Sequence, residues 1–222
     1  MVNELQFRSR TIQPLVLGED RGWGSNLRLA LQRLEHSHVL YMQEDYFLNA
    51  PVRGGQLASD LAYAFEHDTD AFCLRARTVL EQDFQPINDR FGVVPRDSDG
   101  RTRNQVGLWK RGSLLAVLRD GESGWEVEAH ASERTRDMRV LSYSTRENAS
   151  VSYLMSAIVR GLWTRDALAM CAAHNFKIDP HFRGTYSDRS AVSGLRRALT
   201  RRRLKSELAR ARNSVIDLDA IP

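Results

Sequence analysis

Four consecutive stretches in the first third of the chain constrain its fold more than any other feature. "SNLRLALQRLEH" repeats Leu27, Leu31 and Leu34 along one helical face, and "HVLYM" is continuously apolar. "GGQLASDLAYAFEH" returns to helical spacing at Leu57, Leu61 and Phe65, and "AFCLRA" is apolar again. A period near 3.6 marks a helix laying one stripe on a core, whereas a short unbroken apolar run marks a strand covered on both faces. "TIQPLVLG" ahead of them reads as a strand in which Pro14 suits an edge or a strand start. Ser25 or Asn26 is the candidate cap of the first helix. Strand, helix, strand, helix, strand is the rhythm of an α/β sheet with crossovers, not of a sandwich or a bundle.

The second half is less regular. A polar stretch punctuated by Pro and Gly runs from about Glu81 to Asn104, the kind of loop that commonly carries function. A short strand "QVGLW", a helix "SLLAVLRD" and the segment "GESGWEVEAH" follow. "RVLSY" and "VSYLM" read as two further strands, and "RDALAMCAAHNF" as a helix behind Thr164. A chain of 222 residues suffices for one sizeable core, so the expected organisation is a domain over 1–192 and a tail over 193–222.

No apolar run approaches the ~20 residues of a membrane span. "MVNELQFRSR" lacks the apolar core of a secretory signal, and Cys73 and Cys171 each sit in an apolar stretch. Both point to a reducing cytoplasm, with the thiols as small buried hydrophobes instead of a disulfide or a metal pair. The tail is basic: Leu195 to Arg212 holds eight Lys or Arg and one acid, Glu207. The chain as a whole has 32 basic and 28 acidic residues, so this segment carries +7 and the remainder −3. Leu195, Leu199, Leu204 and Leu208 recur there at near-helical spacing. Such a basic amphipathic helix either packs on the body or lies on an anionic membrane surface at the cytoplasmic face. Nucleic acid is disfavoured, because no aromatic residue is available there for stacking.

Two acidic sites carry the chemistry. Glu44 and Asp45 follow the apolar run that ends in "YMQED", where ligands bind in an open α/β sheet. Carboxylates in a turn at that place offer the hard oxygens Mg²⁺ or Mn²⁺ accepts beside substrate phosphates, or else they cap a helix or face solvent. In "SGWEVEAH", Glu126 and Glu128 are two residues apart and share a side if the segment is extended. A carboxylate beside the indole of Trp125 suits a sugar, whose apolar face stacks while the acid takes a hydroxyl; the same residues also fit a core Trp with a surface strand edge.

The order of "GWGSNLRLALQRLEHSHVLYMQEDYFL" and "QVGLWKRGSLLAVLRDGESGWEVE" resembles a bacterial family of nucleotide-sugar glycosyltransferases with the GT-A fold, over roughly Gly18 to Gly161. The resemblance implies a Rossmann-like, mostly parallel sheet with flanking helices and a basic C-terminal helix. It implies a DxD-type motif at Gln43, Glu44 and Asp45, contacting a donor diphosphate through Mn²⁺ or Mg²⁺. It places Trp109 and Trp125 on the acceptor side, with Glu128, or Glu126 beside it, as the general base of an inverting hexosyl transfer. His174, with His181 in the same "AHNFKIDPHFRG" stretch, is the candidate metal-binding histidine, and Arg183 a candidate partner for diphosphate. The implied acceptor is a growing surface polysaccharide or its lipid-linked precursor. Such domains open with a strand, a helix and a strand, and few residues precede "TIQPLVLG", so the domain reads as shortened at its amino terminus. Two rivals follow from the same residues. One is a non-catalytic glycan- or membrane-binding derivative of a transferase domain; the other is a metal-dependent nucleotidyltransferase, for which "LGEDRGWGS" has the glycines but too many acids.

Overall fold

A computed structural model describes residues 5–7, 10–12, 14–76, 85–176 and 184–186. The chain separates into two units, Met1–Met155 and Ser156–Pro222. The expected boundary at 192/193, the basic tail, His181 and Arg183 lie outside the described residues.

The first unit is built on a six-stranded sheet in the order β3-β7-β4-β8-β6-β5. These strands are β3 (His38–Tyr41), β4 (Ala71–Ala76), β5 (Gln85–Pro86), β6 (Phe91–Val93), β7 (Gly107–Lys110) and β8 (Val140–Tyr143). A separate two-stranded ribbon, β1 (Leu5–Phe7) and β2 (Arg10–Ile12), precedes them. Helices α1 (Trp23–Gln32), α2 (Gly54–Glu66), α3 (Arg111–Val117) and α4 (Gly124–Arg134) complete the unit.

The α/β class stands, but the sheet is not mostly parallel. β4 and β8 form its one parallel pair, and the other four neighbour pairs are antiparallel. The reason is the insertion of β7. β3 and β4, joined through α2, run in the same direction as a crossover requires, but β7 enters between them and runs antiparallel to both. β3 is consequently an edge strand with Leu40 55% exposed, not the doubly covered strand that "HVLYM" suggested.

Side chains alternate between two packed faces, as a period of 2 requires. Ala71, Cys73, Trp109 and Val140 face α1, α3 and α4 through Leu31, Leu114, Val117, Val127 and Ala131. Phe72, Leu74, Leu108, Leu141 and Tyr143 face α2 through Ala64, together with Tyr46, Ala149 and Val151 from loops. The second face holds a buried polar network that sequence periodicity did not reveal. Asp60 of α2, 0% exposed, accepts from Arg90 Nη2 at 2.5 Å and Tyr143 Oη at 2.8 Å, and Ser150 Oγ lies 2.7 Å from Tyr143 Oη. It ties α2 to β8 and to the loop before Val151, while burial pushes the Tyr143 phenol above its ordinary range.

Several local expectations change. Ser25 and Asn26 lie inside α1, whose N-cap is Gly22 at φ 88°. Asn26 instead faces back, its Nδ2 donating to Asp20 Oδ1 at 2.7 Å. Pro14 to Gly18 form no strand, and "VSYLM" supplies only an isolated bridge between Tyr153 and Leu48. "GESGWEVEAH" is helical, because Ser123 and Glu126 close a capping box at the start of α4. Cys73 and Cys171 are both buried and unbridged.

In the second unit, β9 (Ile158–Val159) and β10 (Leu162–Trp163) pair antiparallel across Arg160 and Gly161, both at positive φ. That is the geometry of a two-residue primed turn. Thr164 then caps α5 (Arg165–Ala173) by accepting from the Ala167 N–H at 3.3 Å. The helix ends in a Schellman motif: Phe176 N–H donates to Cys171 O at 2.8 Å and Asn175, at φ 57°, to Ala172 O at 3.1 Å. Among the described residues no helix is long and apolar enough to cross a membrane.

Candidate functional site

Because β7 runs opposite to β3 and β4, its first residue, Gly107, pairs with Tyr41 at the end of β3 and with Cys73 in the middle of β4, and the chain ahead of it runs on toward the end of β4, Val106 O accepting from Leu74 N–H at 2.9 Å. The loop leading into β7 is thereby delivered to the carboxyl ends of β3 and β4. There it meets the acidic turn. Tyr46 N–H donates to Gln43 O at 3.2 Å, closing a four-residue turn with Glu44 and Asp45 at its tip. Both ends of that turn are fastened to one atom, since Gln43 Nε2 donates to Asn104 O at 2.7 Å and Tyr46 Oη to the same oxygen at 3.2 Å.

Asn104 also reaches the second acidic motif. Its N–H donates to Glu128 Oε1 at 2.8 Å, and its Nδ2 donates to Gly124 O at 2.6 Å in the first turn of α4. One residue thus holds the Gln43–Tyr46 turn on its carbonyl and Glu128 on its amide. Two phenols record the same convergence. Burial raises Tyr41 and Tyr46 above the ordinary tyrosine range, and the negative charges of Asp45 and Glu128 push both further in the same direction. The Tyr153 ring lies 5.1 Å from that of Tyr46, and its Oη donates to Gln105 Oε1 at 3.4 Å. Burial pushes Tyr153 up to about 12 against the opposing charge of Arg75.

Asp45 is half-buried, and its Oδ1 is shielded from water with no hydrogen-bond partner among the described residues. Burial, then the neighbouring charge of Glu44, raise its carboxyl above the usual range. A carboxylate oxygen turned inward without a donor is a ligand position waiting for a cation or a proton. Among the described residues no group of three or more His, Cys, Asp or Glu is arranged to hold a metal. Mg²⁺ and Mn²⁺ beside phosphates need fewer protein ligands than that, commonly one or two carboxylates. Asp45, with the exposed Glu44 beside it, fits that donor set.

The remaining expected site residues fall differently. Glu126 is spent on the cap: its Oε2 accepts from Ser123 N–H and Ser123 Oγ, each at 2.8 Å, and these bonds, the backbone one first, hold its carboxyl below the usual range. Because α4 is a helix, Glu126 and Glu128 do not share a side. Trp125 and Glu128, three apart, do. Trp125 is 84% exposed, a bare indole one turn from Glu128. Trp109 is 4% exposed and belongs to the core, so its ring does not face an acceptor. His174 is the C-cap of α5 in the second unit.

Sequence reasoning missed Asn104, Tyr46 and Tyr153. Asn104 closes the polar stretch between strands, and Tyr46 directly follows the acids, so position alone marked both. No protein-family model matches the chain, and neither a curated protein nor a solved structure does.

Proposed function

We propose that the protein is a glycosyltransferase that moves a sugar from a nucleoside-diphosphate sugar to a hydroxyl of a glycan or lipid-linked acceptor in surface polysaccharide synthesis. The observation that carries this reading is Asn104, which joins the acidic turn to Glu128 at the carboxyl ends of β3 and β4. The donor diphosphate lies at the turn and the acceptor along α4, where the Trp125 indole stacks on the apolar face of a sugar ring. Asp45, with Glu44, would hold a divalent cation whose charge offsets that of the diphosphate.

Glu128 acts as the general base. Its carboxylate takes the proton of the acceptor hydroxyl as that oxygen bonds to the anomeric carbon, and the bond from that carbon to the diphosphate oxygen breaks. Attack from the face opposite the leaving group inverts the anomeric configuration. Asn104 orients the base through its N–H, and the leaving nucleoside diphosphate departs on the side of the acidic turn.

Calorimetry with a panel of nucleoside diphosphates, with and without Mn²⁺, tests the reading. Wild type should bind at least one in a metal-dependent manner, Asp45→Asn should lose that dependence, and Glu128→Gln should keep it. Metal-independent or absent binding in the wild type removes the donor site, leaving the exposed indole as a glycan-binding platform without transfer.

A further inference from the structure

At the sheet edge opposite the acidic turn, where β6 ends and β8 begins, lies an open cavity of about 430 Å³. Its wall holds four arginines, Arg96, Arg101, Arg136 and Arg139. Arg101 is buried and ties the two strand ends together, donating through Nη1 to Val94 O at 2.9 Å and through Nη2 to Met138 O at 2.7 Å. Arg96 and Arg136 rest on Asp137 and Asp97, each at 2.5 Å, but all four side chains are more than half exposed. Such pairs are worth little and exchange readily for a better anion.

Arg139 is the anomaly. Its backbone N–H donates to Asp70 Oδ2 at 2.8 Å, and among the described residues its guanidinium donates to the Tyr63 hydroxyl, at 3.4 Å. Its Nε is shielded from water and has no acceptor among the described residues. Four arginines thus line a volume that a small ligand fills, two of them resting on exposed carboxylates, with the Arg139 Nε lacking an acceptor among the described residues. Guanidinium is the side chain best matched to phosphate oxygens, which it grips through two parallel N–H bonds.

We propose that this cavity binds a phosphate-bearing anion, with Arg139 as its anchor and Arg96 and Arg136 closing on it by releasing Asp137 and Asp97. The site is separate from the acidic turn and needs no metal. Its ligand is either a free phosphate ester or the headgroup of an anionic lipid, two sources of one chemistry.

Calorimetry with pyrophosphate in EDTA is the test. Wild type should show saturable binding that weakens as salt rises. Arg139→Gln should weaken it about tenfold or more, the usual consequence of losing a charged hydrogen-bonding partner. Asp45→Asn should bind like wild type, so this site stands or falls independently of the proposed donor site. If Arg139→Gln fails to fold, the exposed double variant Arg96→Gln/Arg136→Gln decides, with a loss of several-fold expected. Sedimentation with phosphatidic acid vesicles that pyrophosphate displaces identifies a headgroup, and pyrophosphate binding without sedimentation identifies a free ester. Absence of saturable binding in the wild type, or wild-type affinity in the variants that fold, overturns the proposal.

Discussion

Replacing Asp45 by Asn should make the ligand-free protein more stable at neutral pH. The Oδ1 oxygen is buried without a donor, and burial raises the carboxyl above its ordinary range, with Glu44 adding to the effect. Asn keeps an oxygen at this place but carries no charge, so what the substitution relieves is the burial of an unpaired charge, which costs at least the roughly 1–3 kcal/mol of an unsatisfied polar group when fully buried. Asp45 is only half-buried and solvent screens part of that, so about 0.5–1 kcal/mol remains. In a domain of this size that corresponds to a rise of roughly 1–4 °C in thermal midpoint. The pH dependence identifies the cause. Below the ordinary Asp value near ~4, the group is protonated in both the folded and unfolded states and the penalty is absent. As pH rises, the unfolded chain ionises first, and the penalty is fully present above the raised folded value. Thermal unfolding in EDTA at pH 7.5 should therefore favour Asp45→Asn, and the gap should close as pH falls toward 4. A variant no more stable than wild type at pH 7.5, or a gap independent of pH, would refute the reasoning.

Glu128→Gln should lower turnover by about 10²- to 10⁴-fold while nucleotide binding persists, as read by transfer assays beside calorimetry. Glu126→Ala should lower the thermal midpoint by opening the capping box and should cost transfer less than Glu128→Gln does; a Glu126→Ala variant as inactive as Glu128→Gln would move the base to Glu126. Trp125→Ala should leave stability unchanged, because the indole is bare, and should appear mainly in the acceptor KM. Gly24→Ala should destabilise by about 1–3 kcal/mol in urea unfolding. Its new Cβ would stand 2.5 Å from Arg119 O and 2.7 Å from Glu122 O, both backbone atoms that cannot swing aside.

The elements with strong period were legible. Leu57, Leu61 and Phe65 marked α2, the unbroken run in "AFCLRA" marked the central β4, and Thr164 marked the start of α5. Strand pairing was not legible. β3 and β4 flank a helix, and that order implies neighbours, yet nothing local in "VGLWK" states that it enters between them. The "GWEVEAH" segment failed for another reason: alternation of Trp, Glu, Val and Glu fits a strand, but Ser123 three residues ahead of Glu126 is a helix-start signal, and the cap overrides the alternation. Trp109 shows the limit of residue type, since an indole beside a polar loop reads as a platform until burial places it in the core. The hairpin at Arg160–Gly161 hid because a non-glycine residue occupies a positive-φ position where Asn or Gly usually signals the turn.

The antiparallel insertion of β7 that departs from the expected sheet is also what assembles the candidate site. Were β7 parallel to β3 and β4, its first residue would lie at the other edge of the sheet, and Asn104, three residues earlier, would arrive far from the acidic turn. Running backward, β7 sets Gly107 beside Tyr41 and leaves Asn104 within reach of Gln43 and Tyr46. The chain then leaves β7 at its far end and comes back through α3 and the loop after it, so that the first turns of α4 meet the same loop at Gly124 and Glu128. The capping box fixes where α4 begins, and that start determines which glutamate faces Asn104. A shift of one residue in the cap would rotate the helix by about 100° and carry Glu128 off Asn104. Glu126 therefore acts on the site only through geometry: its carboxylate holds the first turn so that the carboxylate two residues later meets the amide.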